Sequence, residues 1–163
     1  MHPVAANLSD RMYRTMDENK FLHEVERRSQ LNREQAFKVT IAVLQELHDR
    51  LSPKEADDLA AQLPSDFKRQ WHAFDAPGRD VRRTHKEDFV RHLIEVAELS
   101  PKQASDGLLA VFKVMQMLLN SPTGQEGEAW HIFSQLPKDL KQTWLQAAEM
   151  DGPQGRPGSS STR

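Results

Sequence analysis

The chain has 163 residues, 37% of them hydrophobic, no cysteine and a net charge of -2 at pH 7. Without cysteine there are no disulfides, no thiolate catalysis and no zinc ribbons, and the slightly acidic balance excludes bulk attraction to nucleic acid or anionic lipid. No apolar run reaches the roughly 20 residues that span a bilayer, and Met1 to Asn19 contains no signal-peptide core, so a cytoplasmic protein without membrane contact is expected.

Residues 1–14 read as an N-terminal extension. Thr15-Met16-Asp17-Glu18 has the S/T-x-x-E form of a capping box and predicts the first helix. Asn32-Arg33-Glu34-Gln35 opens a second. Ser52-Pro53-Lys54-Glu55 opens a short third that runs to about Leu63, and Pro64 begins a fourth, with Asp66 near its positive end and Trp71 on its inner face. A turn-rich stretch, Asp75-Ala76-Pro77-Gly78-Arg79-Asp80, follows and marks a linker over 76–83. The grammar then starts again. Thr84-His85-Lys86-Glu87 and Ser100-Pro101-Lys102-Gln103 open two more helices, and Gln125–Leu136 and Pro137–Ala148 complete the set. The Gly, Pro and Ser content of 151–163 predicts a disordered tail. No segment alternates with the period of a strand, so the predicted class is all-α.

The second set of helices repeats the first in its residues. Phe21, Leu31, Gln35, Ala36, Ala42, Val43 and Leu51 match Phe89, Leu99, Gln103, Ala104, Ala110, Val111 and Leu119 at a constant offset of 68. After an insertion at Thr123 to Gly127, Glu55-Ala56 through Trp71 match Glu128-Ala129 through Trp144 at an offset of 73, and Gln62-Leu63-Pro64 recurs as Gln135-Leu136-Pro137. The expected architecture is a tandem duplication of a four-helix repeat, 15–75 and 84–150, forming a pseudo-symmetric helical bundle.

Arg50-Leu51-Ser52-Pro53-Lys54-Glu55-Ala56, followed by Leu59-Ala60-Ala61-Gln62-Leu63-Pro64 and the closing Trp71, resembles the bacterial domain of unknown function 2267. The resemblance runs from Phe21 to about Ala148 as two copies. It implies an all-helical bacterial protein and carries no activity, ligand or catalytic residue.

Catalytic motifs are missing: there is no Gly-rich phosphate loop and no G-x-S-x-G. His23 with Glu26 and His92 with Glu95 have a spacing that puts both ends on one helical face, but neither histidine recurs between the copies. Both are read as ordinary surface or boundary side chains, and no metal ligand, cofactor or catalytic residue is assigned. Arg79, Arg82, Arg83 and Lys86 form a basic junction that could meet phosphates, although Asp80, Glu87 and Asp88 interleave it.

The second helix of each copy separates the halves. Both keep an inward stripe, but Glu46, Asp49 and Arg50 of the first copy stand where the second has Val114, Met117 and Leu118, with Gly107 on the same seam. Three covers for that seam are open: a larger core inside the second copy that uses Trp130 and Phe133, the first copy, or another chain. The leading expectation is a non-catalytic interaction or scaffold protein that binds a protein partner or itself through Gly107, Val114, Met117 and Leu118 or the inter-repeat groove. A metal-dependent or small-molecule enzyme using His, Glu and Asp in that groove is the alternative, and nucleic-acid binding at the basic junction ranks last.

Overall fold

The computed structural model describes residues 16–74, 85–120 and 127–150, and these form eight helices and no strand. They are α1 (Glu18–Ser29), α2 (Arg33–Arg50), α3 (Pro53–Ala60), α4 (Ser65–Ala73), α5 (Lys86–Ala97), α6 (Pro101–Leu119), α7 (Glu128–Ser134) and α8 (Lys138–Ala148). The extension 1–14, the linker 76–83 and the tail 151–163 lie outside the described residues.

Local chemistry places most of the helix starts. Asn32 and Ser100 each close a full capping box with the glutamine three residues on, and Ser52 accepts the Glu55 amide with Pro53 in the first turn. The first helices differ from the expected S/T-x-x-E boxes. α1 is capped by Asp17, whose carboxylate accepts from the Lys20 amide, and α5 starts at His85 with no side-chain cap of its own. A carboxylate from another helix serves instead: Asp139 Oδ2 of α8 accepts the Lys86 amide at 2.9 Å. α3 also ends earlier than its sequence suggests, at Ala60, because the chain tightens into a turn ahead of Pro64. α1 and α5 both end on a non-glycine residue in the left-handed region, Gln30 (φ 68°) and Glu98 (φ 56°), which stand at the offset of 68.

The long helices α2 and α6 pack on each other at the centre, and the outer helices cross over: α1 packs on α6, and α5 on α2. α6 also carries α8, and α2 carries α4. A single hydrophobic core results, with Phe21, Phe67, Trp71, Phe89, Phe112 and Trp144 contributing to it from both halves. Close approach of α2 and α6 depends on Gly107. A Cβ built there would stand 3.1 Å from Val39 Cγ2 and 3.4 Å from Leu31 Cδ1, so even a methyl group would need the Val39 side chain to give way.

Glu46 and Arg50 do not face water; both are buried where α2 meets α5. Arg50 Nη1 donates to Glu46 Oε1 at 2.7 Å, and the guanidinium carbon lies 5.0 Å from the centre of the Phe89 ring. Glu46 Oε2 also lies 3.6 Å from His92 Nδ1. Val114 and Leu118 stand at the matching positions of α6, the helix that α1 packs on. Two apolar side chains of α6 thus stand where α2 has an ion pair.

Candidate metal centre

Gly107, Val114 and Leu118 are buried and belong to the chain's own core, while Met117 is half-buried. The seam expected to meet a partner is therefore largely covered within the chain, and only Met117 of the four keeps an open side. Trp130 takes no part in the cover: it is 65% exposed on α7, and Phe133 is only partly buried. Of the basic junction, Arg79, Arg82 and Arg83 lie outside the described residues, and Lys86 sits in the first turn of α5 with its amide held by Asp139.

The two His-x-x-Glu pairs are not brought to a common site either. His23 is exposed, and Glu26 pairs with Arg33. His92 turns to α2, its Nε2 lying 3.1 Å from Gln45 Oε1, while Glu95 is exposed.

A different set of groups converges where α3 meets α7. Ser52 caps α3 and so directs Glu55 from its first turn, and the Ser52 amide is in turn held by Gln135 Oε1 at 2.9 Å from the end of α7. Glu128 opens α7, with His131 one turn on. One ligand atom each from Glu55, Glu128 and His131 lies within 4.8 Å of the others. His131 Nδ1 is 4.0 Å from Glu55 Oε2 and 4.0 Å from Glu128 Oε1.

The electrostatics are unusual. Glu128 is 0% exposed and Glu55 7% exposed. Among the described residues, both Glu128 oxygens, Glu55 Oε1 and His131 Nδ1 are buried without a hydrogen-bond partner. Two ionised carboxylates only accept, so they cannot satisfy each other unless a proton lies between them. Burial first, then the negative charges of Glu55 and Asp58, push the Glu128 carboxyl up to about 7, and Lys54 opposes the shift. The pH dependence has a definite sign. A carboxyl raised in the folded state contributes stability that is complete below the ordinary carboxylate range and lost as pH rises toward 7. The cation-free protein should therefore melt higher near pH 5 than near pH 8, and Glu128→Gln should shrink that difference; an unchanged difference in calorimetry would contradict the burial of an ionisable group here.

The sequence analysis passed over this set. Glu128-Ala129-Trp130-His131 has the Glu-x-x-His spacing, but it begins beside an insertion and its histidine aligns with Asp58, so a search for repeated histidines misses it. Nor does local spacing show that Glu55 and Glu128, residues at the same place in the two copies, stand face to face.

The chain belongs to the family described as an uncharacterized conserved protein (DUF2267), whose model matches residues 18–143. No curated protein matches it.

Proposed function

We propose that the chain is a non-catalytic helical binding protein, built by duplication of a four-helix unit, whose ligand is a divalent cation held where the two copies meet. Aligned positions that meet each other support the duplication. Val39 and Gly107, at the offset of 68, touch between α2 and α6, and Glu55 and Glu128, at the offset of 73, converge between α3 and α7. Such self-meeting pairs are what a pseudo-two-fold axis produces.

One observation carries the binding reading: Glu128 is fully buried, with neither oxygen partnered among the described residues. Burying a carboxylate in this way costs several kcal/mol unless it is neutralised or paired. Asp58 is paired with Lys54 at 3.0 Å, and Glu128 becomes a second negative charge beside Glu55 only as its carboxyl, raised to about 7, gives up its proton. A divalent ion cancels that charge and gives the orphaned oxygens a partner. The burial of both carboxylates favours holding an ion over turning over a substrate. Held there, the ion ties α3 to α7 and so clasps the two halves, as suits a scaffold.

Calorimetric titration of chelator-treated protein with magnesium, calcium, manganese and zinc tests the reading. At least one should bind one-to-one and raise the melting temperature, and the Glu55→Gln/Glu128→Gln double variant should lose that binding. Failure of all four to bind would overturn the reading.

A further inference from the structure

We infer that this site takes a borderline transition-metal ion of the zinc class in preference to magnesium or calcium, and that His131 is the residue that sets the preference. The inference rests on the cation reading above and adds the identity of the ion.

The ligand atoms argue first. Calcium takes six to eight oxygen ligands, and magnesium keeps an octahedral shell with several waters. The groups that converge here are two carboxylates and one imidazole nitrogen, and both carboxylates are buried, so the set supplies fewer oxygen ligands than either of those ions prefers. Zinc is content with four ligands drawn from imidazole and carboxylate. Tetrahedral zinc with bonds of roughly 2.0–2.2 Å sets its ligand atoms roughly 3.3–3.6 Å apart. The separations are 4.0 Å from His131 Nδ1 to each carboxylate and within 4.8 Å for the whole set, so the side chains must turn inward to meet one ion.

The comparison between the halves isolates the determinant. The residue one turn after Glu55 is Asp58, and the one after Glu128 is His131, at aligned positions. Asp58 is tied to Lys54. His131 keeps Nδ1 buried and unpartnered, facing both carboxylates. A second aspartate in its place would make the set all-oxygen, which suits magnesium, calcium and manganese; imidazole shifts the set toward zinc and its neighbours. The asymmetry between the copies therefore falls at the one position that chooses between hard and borderline ions.

Isothermal titration of the full chain with zinc, magnesium and calcium separately, in a non-coordinating buffer at neutral pH, tests the inference on the native protein, His131→Asp and Glu55→Gln/Glu128→Gln. Zinc should bind the native protein at least about tenfold more tightly than magnesium or calcium, and His131→Asp should lower that ratio by about tenfold or more. Circular dichroism checks folding, and His131→Asn replaces the aspartate variant should that one lose helicity, with the same loss of zinc affinity expected. Magnesium or calcium binding as tightly as zinc, or an unchanged ratio in the His131 variants, would overturn the inference and leave the cation reading standing. No binding by any of the three would remove the inference, and manganese, titrated as above, would then decide the reading itself. Zinc binding that survives the double glutamine variant would assign the ion to surface histidines and overturn both.

Discussion

Replacing Trp71 with alanine should lower the unfolding free energy by about 3–5 kcal/mol, the cost of deleting a large buried ring. Trp71 is 1% exposed and lies edge-on to His48 with ring centres 4.8 Å apart. It anchors α4 on α2, so the cavity would open between those two helices. Trp144 fills the matching place under α8, its ring centre 5.0 Å from that of Phe112 and its carbonyl accepting from Gln116 Nε2 at 3.0 Å, and its alanine variant should cost a similar amount. Trp130 provides the contrast. It is exposed, and Trp130→Ala should stay within about 0.5 kcal/mol of the native protein. Urea denaturation of the three variants measures the order directly, and a cost at Trp130 equal to that at Trp71 would mean that Trp130 is covered by something beyond the described residues.

Val114→Glu should be strongly damaging, unfolding the protein or costing several kcal/mol, since it places a carboxylate at a fully buried position. Val114 is fully buried on α6, whose neighbours include α1 and α2. Met117→Glu, one turn on and half-buried, should be far milder, because its carboxylate can reach water. The pair decides what the seam is. If Val114→Glu instead gives a folded, fully helical protein of lower mass in light scattering, the seam is an interface between chains and the crossed packing of α1 on α6 is wrong.

The ion pair at the matching place in the first half shows that the contrast between Glu46, Asp49, Arg50 and Val114, Met117, Leu118 is not one between solvent and core. Charge on a helix face usually marks solvent. Here Arg50 is buried with its charge paired to Glu46 and its plane over Phe89, an arrangement visible only once α5 is laid across α2. Likewise Trp130 looks like core by residue type, yet α7 turns it outward.

What the amino-acid order determined unaided is what depends on neighbours within a turn or two. The all-helical class, the caps at Asn32, Ser52 and Ser100, the prolines in the first turns of α3 and α6, and the burial of Trp71 and Trp144 follow from hydrogen bonds and periodicity that the local chain satisfies by itself. The tertiary structure decided which surfaces meet. Crossing α1 over α6 and α5 over α2 closed the seam, buried an ion pair, supplied Asp139 as the cap that α5 lacks, and set Glu55 against Glu128 and His131. Those contacts join residues tens of positions apart, and a like-charged pair that repels on its own is brought together only because the packing of the whole core outweighs the cost of holding it there.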